Sequence, residues 1–179
     1  MFLGVAEYSN CQNQFKIDTI RTFKLDSLVW ININKYRTSK SIRPFIVFED
    51  SLMREYTKRV SEQNILIYPT KHSDSVGYWC NSECLYTYIQ RGNLHWDEEI
   101  NSINQNDFSN LAHRAVQGWV NSPSHNLQIS REDIIVSTVY CIVIIDYKKK
   151  EFRFDATFHG LLHNENATFG NTYSYYISN

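Results

Sequence analysis

A chain of 179 residues and 21.2 kDa with 18 Lys+Arg against 19 Asp+Glu carries a formal charge of −1. That length favours a single domain, and the near-zero balance removes the basic footprint expected of a nucleic-acid binder. Hydrophobic residues at 42% and aromatic residues at 15% supply a core and exclude a disordered chain. In chain order, the first helix is expected after the N-cap candidates Asp26-Ser27, with Leu25, Leu28, Val29, Ile33 and Tyr36 on one face. It should end near Ser39-Lys40, ahead of Pro44. Phe45-Ile46-Val47-Phe48 reads as a short buried strand, and a second helix begins at Asp50 or Ser51, carrying Leu52, Tyr56 and Val60. From about Asn64 to Phe108 no periodicity is sustained, and the segment reads as irregular. A third helix from Ser109 sets Leu111, Ala112, Ala115, Val116 and Trp119 on one stripe, and Pro123 should stop it.

Beyond Arg131 the period changes. Ile134 to Ile145 is almost continuously apolar and β-branched, the pattern of a strand buried on both faces. After the charged turn Asp146-Tyr147-Lys148-Lys149-Lys150 comes an alternation: Phe152, Phe154, Ala156 and Phe158 on one face, Arg153, Asp155 and Thr157 on the other. These two stretches make a hairpin. The connections are too short for an all-parallel sheet, so a layered α/β arrangement with an antiparallel sheet is expected.

Six histidines stand at 72, 95, 113, 125, 159 and 163, with no HExxH, GxSxG, phosphate-binding Gly loop or paired CxxC around them. Cys11, Cys80, Cys84 and Cys141 permit two disulfides or four buried thiols. The close pair Cys80 and Cys84 lacks a second Cys or His pair at finger-like spacing. No run of about 18 apolar residues exists for a transmembrane helix. The opening Phe2-Leu3-Gly4-Val5-Ala6 is too short for a signal-peptide core, so an export signal is not visible.

Two stretches together are more specific. Leu28-Val29-Trp30-Ile31-Asn32-Ile33-Asn34-Lys35-Tyr36-Arg37 precedes Pro44-Phe45-Ile46-Val47-Phe48-Glu49-Asp50-Ser51-Leu52, and Ala115-Val116-Gln117-Gly118-Trp119-Val120-Asn121-Ser122-Pro123-Ser124-His125 follows later. In order and spacing they resemble the CAP superfamily (cysteine-rich secretory proteins, antigen 5 and pathogenesis-related 1 proteins), in its bacterial single-domain form. The first matches an "INxYR" helix, a proline-bearing loop, a short strand and a helix start; the second matches "AVxxWxNSPGH". The resemblance implies an α-β-α sandwich with a central, largely antiparallel sheet. It divides the chain into an N-terminal extension (1–24), a CAP domain (25–159) and a C-terminal tail (160–179).

The family's cleft holds two histidines and up to two acidic residues, and some members bind a divalent metal such as zinc there. Carried over, His125 lies inside the matched Ser-Pro-x-His element, and His72 lies in the stretch after the second helix where the family places its first histidine. Glu83 stands for the glutamate of the family's "GEN" element, although the local sequence is Ser82-Glu83-Cys84. Ser122 occupies the second acidic position and Ser124 the glycine before the histidine. The expected cleft is therefore His72, His125, Glu83 and Ser122, with His72 and His125 as the metal ligands if zinc is held. His95, His113, His159 and His163 are read as structural or solvated, and Trp119 as core.

What the resemblance implies is a secreted or cell-surface module acting by binding, to a lipid or sterol-like apolar ligand or to a protein partner on a host or cell surface. The alternative is a zinc-dependent hydrolase using His72, His125 and Glu83. Tyr68, Tyr78, Trp79, Tyr86 and Tyr88 gather in the irregular middle, which suits an apolar ligand and equally a local core. No nucleophile–base–orienter set is recognisable by spacing, since Ser122 and Ser124 merely neighbour His125 in sequence. Asn166-Ala167-Thr168 matches a glycosylation sequon.

Overall fold

The computed structural model describes residues 17–47, 51–66, 72, 82–92 and 96–162. The elements are β1 (Ile17–Ile20), α1 (Phe23–Ser39), β2 (Ile46–Val47), α2 (Ser51–Asn64), β3 (Ser82–Arg91), α3 (Trp96–Asn104), α4 (Ser109–Asn121), α5 (Pro123–Ile129), β4 (Ile134–Asp146) and β5 (Glu151–Leu162). The fold is mixed α/β. Strands β1, β4, β5 and β3 form an antiparallel sheet in that order, and the two-residue β2 joins β4 in parallel. Strand β4 is the hub: β5 lies along one edge, while β1 and β2 share the other at opposite ends.

The period-2 reading of the hairpin explains how the sheet takes helices on both faces. Phe152, Phe154, Ala156 and Phe158 of β5 join Val139, Cys141, Val143 and Ile145 of β4 and Cys84 of β3 in one core with Leu25, Val29 and Ile33 of α1 and Leu111, Ala115 and Trp119 of α4. The other face meets α2, through smaller clusters of Met53, Tyr56, Val60 and Leu85 and of Ile65, Tyr140 and Ile142. Between those clusters the α2 face is polar and buried: Thr57 and Ser61 of α2 face Asp155, Thr157 and His159 of β5. The apolar face supplies the bulk of the hydrophobic stabilisation; the polar face is held by hydrogen bonds that must all be satisfied.

Three polar residues near the end of the first helix, Asn34, Tyr36 and Arg37, have tertiary partners. Asn34 donates its side-chain amide to Phe45 O at 3.2 Å and accepts Phe45 N–H at 2.8 Å, so it stands in for a neighbouring strand. Tyr36 donates its hydroxyl to Asn126 of α5 at 2.8 Å. Arg37 is fully buried and donates to the carbonyls of Arg43, Ile129, Arg131 and Ile134.

Four expectations are corrected. Helix α1 starts at Phe23, not after Asp26, because Thr22 is the cap and accepts from Lys24 N–H at 3.2 Å. Asp26 instead points inward, where it accepts the Cys141 backbone N–H at 2.8 Å and pairs with Arg21. Pro123 ends α4 as expected but also opens α5, at the position where its missing N–H costs nothing. The segment read as irregular contains β3 and α3; Ser82, Glu83, Cys84 and Leu85 are buried on both faces, which erases alternation. Finally, Ile17–Ile20, within the stretch read as an extension, forms edge strand β1, and β5 runs on to Leu162 past the expected boundary at 159.

Helix α4 lies against β3 at Gly118, where a Cβ would stand 2.5 Å from the Tyr86 ring. Alanine is ordinarily better than glycine inside a helix by about 1 kcal/mol. Gly118→Ala is nevertheless expected to lower unfolding free energy by about 1–3 kcal/mol, because the Tyr86 ring must be displaced from a packed interface. A urea midpoint equal to or above the native one would show that the ring moves without cost.

Candidate functional site

The site forms where the start of β3 meets α5 and the inner face of α2. In the β3–β5 register Glu83 lies opposite His159, so the two side chains share the face that looks at α2. Glu83 Oε2 is 2.8 Å from His159 Nε2, and Glu83 Oε1 is 2.8 Å from His72 Nδ1. The Glu83 and His159 side chains are 1% and 0% exposed, whereas that of His72 is 60% exposed. A buried carboxylate thus links a buried imidazole to a solvent-facing one.

His125 comes from the other side. Pro123 fixes the start of α5, and Cys84 Sγ, on the opposite face of β3 from Glu83, donates to His125 O at 3.7 Å. The imidazole of His125 comes within 5.8 Å of that of His72, centroid to centroid, with the planes at 48°. Burial holds His125 below the ordinary histidine range; the neighbouring His72 adds to this and Glu83 partly opposes it. The shift favours the neutral form of His125, which offers a lone pair to a cation or proton. Burial likewise pushes the Cys84 thiol far above its usual range, which makes it an inert core group rather than a nucleophile.

Behind Glu83 the chain of contacts continues. His159 Nδ1 is 2.8 Å from Thr57 Oγ1, and Thr57 donates its hydroxyl to Met53 O at 2.8 Å, one helical turn back. Tyr56 packs against the His159 ring at 5.0 Å. A second polar group lies on the same face: Asp155 accepts from Ser61, Thr87 and Thr157. Burial raises its carboxyl to about 6 against those three hydroxyl bonds.

Of the expected cleft residues, His72, Glu83 and His125 are brought together. Ser122 lies at the α4–α5 corner with its hydroxyl 3.3 Å from that of Ser124. His159, read as structural or solvated, is the second partner of Glu83. The signal that could have found it was its place in the alternation with Asp155 and Thr157, opposite Phe158. His113 is exposed on α4 and Trp119 is fully buried, each as expected. Tyr86 and Tyr88 pack against the main core. Cys84 and Cys141 are free buried thiols. Cys11, Cys80, His95, His163, Tyr68, Tyr78, Trp79 and Asn166 lie outside the described residues.

Among the described residues no group of three or more His, Cys, Asp and Glu side chains is arranged to hold a metal ion. Both oxygens of Glu83 face imidazole nitrogens, Oε1 that of His72 and Oε2 that of His159. Also among the described residues, no helix is long and apolar enough to cross a membrane.

No protein-family model matches the chain, and no curated protein matches it. Among solved structures the chain is similar to an outer surface protein from Borrelia burgdorferi, with 15% identity and a TM-score of 0.50. The match covers 83% of this chain and 100% of that one. At this level of identity the likeness is one of fold.

Proposed function

We propose that the chain is a CAP-type module displayed at a cell surface, acting by binding, with His72 and His125 forming a cleft for a divalent cation such as zinc. The observation that carries the reading is the 5.8 Å approach of these two rings. His125 comes from the matched Ser-Pro-x-His element, and His72 from a stretch remote in sequence. With Zn–N bonds of about 2.0–2.1 Å, two imidazoles on one tetrahedral ion have centroids roughly 5 Å apart. The observed separation is close to that, so His72 and His125 are the residues that would hold such an ion. Such an ion would supply a Lewis-acidic centre; Glu83 orients His72 behind it.

The family reading gains support from the tertiary partners of Asn34, Tyr36 and Arg37, three polar residues of the first matched motif. Helices on both faces of the sheet suit a sandwich. Surface display rests on the name of the similar solved structure. The apolar-ligand reading depends largely on Tyr68, Tyr78 and Trp79, outside the described residues. Binding is favoured over hydrolysis because only one carboxylate, Glu83, adjoins the paired histidines among the described residues, and the second acidic position is Ser122.

The test is a calorimetric titration of chelator-stripped protein with Zn²⁺. The expected result is one weakly held ion per chain, with His72→Ala and His125→Ala each weakening binding by more than about tenfold. Binding indifferent to both substitutions, or absent in the native chain, would remove the cation from the proposal.

A further inference from the structure

The buried chain behind His72 has a direction. It ends on Met53 O, a backbone carbonyl that can only accept, and Thr57 donates its single hydroxyl proton there at 2.8 Å. The Thr57 oxygen can then only accept from His159, 2.8 Å away, so His159 carries a proton on Nδ1. One further proton must lie between His159 Nε2 and Glu83 Oε2, again at 2.8 Å. Whether it sits on the nitrogen or the oxygen, Glu83 Oε1 is left as an acceptor, and His72 Nδ1 stands 2.8 Å from it.

We infer that Met53 O, Thr57 and His159 form a directional hydrogen-bond brace which, through Glu83, fixes His72 as its Nδ1–H tautomer and presents its Nε2 lone pair to the cleft. Thr57 and His159 are thus positioning residues. A solvent-exposed imidazole left to itself divides between its two tautomers, and only one of them offers Nε2 to a cation. Burial of Glu83 and His159 at 1% and 0% side-chain exposure keeps water from breaking the sequence of donors. The brace itself is independent of any ion. Its use for zinc rests on the reading of the cleft given above.

The polarity can be tested with near-isosteric changes, read by long-range ¹H–¹⁵N spectra of the metal-free, ¹⁵N-histidine-labelled full chain at neutral pH. The native chain should show Nδ1 protonated on both His72 and His159. Glu83→Gln should leave His72 unchanged: with the carboxyl and its shared proton gone, a neutral His159 protonated on Nδ1 has a bare Nε2, so the amide NH₂ must turn toward it and the amide oxygen toward His72. Adding Thr57→Val removes the acceptor that holds His159, lets the amide reverse, and should shift His72 toward the Nε2–H form. Zn²⁺ affinity should fall about 10–100-fold between the single and the double variant, as for loss of a supporting contact at a metal site.

A native His72 protonated at Nε2 would overturn the brace, and so would a double variant indistinguishable from Glu83→Gln. If the double variant does not fold, by far-ultraviolet circular dichroism, the native spectra of His72 and His159 decide alone. Expected tautomers without zinc binding would discard the metal reading and keep the brace; zinc binding with the opposite tautomer would do the reverse.

Discussion

Replacing Arg37 by methionine should lower unfolding free energy by about 3–5 kcal/mol, as for a buried charge network that loses one member. The side chain is fully buried and donates at 2.7, 2.7, 2.9 and 3.2 Å to carbonyls of Arg43, Ile129, Arg131 and Ile134. Its guanidinium also lies 3.7 Å over the Phe45 ring. Burial pulls Arg37 down to about 10, which still leaves it charged at neutral pH. Methionine fills much of the volume but strands carbonyls on three separate segments. Lysine keeps the charge and should recover less than half the loss, since an ammonium cannot reach a fork of divergent acceptors. Because Ile129 ends α5, which carries His125, the methionine variant should also weaken Zn²⁺ binding. Urea unfolding of both variants checks the first point. A lysine variant within about 1 kcal/mol of native would show that charge alone suffices.

The second large effect is on pH dependence, through Asp155. Burial raises its carboxyl from 3.8 to about 6, against the hydroxyls of Ser61, Thr87 and Thr157. The folded chain then holds a proton in a range where the unfolded chain has released it. Stability from this group is thus full below about pH 4 and falls as pH rises through about 6, by roughly 3 kcal/mol in all. Asp26, also raised to about 6 by burial despite its pairing with Arg21, contributes in the same direction. His125, held low, works against both, since its neutral form costs stability as pH drops below the ordinary histidine range. Asp155→Asn isolates the first contribution. Its advantage over the native chain should be about 1–3 kcal/mol near pH 7 and should shrink toward pH 4. A difference that is constant over that range, in denaturant melts at each pH, would show that Asp155 does not titrate there.

Where local pattern and tertiary demand agreed, the sequence was enough. The stripe Leu111, Ala112, Ala115, Val116, Trp119 is the buried face of α4, and the alternation from Phe152 to Phe158 is the core face of β5. Helix α4 buries one side only; β5 is buried on both sides but keeps apolar residues on one face and polar ones on the other, so in each the period can be read. The family resemblance singles out His72, Glu83 and His125, and the fold brings these three side chains near one another. Where a residue had two good uses, local pattern chose wrongly: Asp26 is as good a cap as Thr22, but Cys141 N–H and Arg21 claim it. The start of β3 is covered on both faces, so nothing in its sequence alternates.

By itself, then, the sequence determined the main helices and the long hairpin, because each depends on neighbours one turn or two residues away; His72, Glu83 and His125 came only from what the family resemblance implies. Only the tertiary structure decided that His159 stands behind Glu83 and that a carbonyl of α2 sets the direction of its hydrogen bonds. Those partners lie 76 and 102 residues apart along the chain, a separation over which no local pattern carries information and which only strand register and helix docking bring within 2.8 Å.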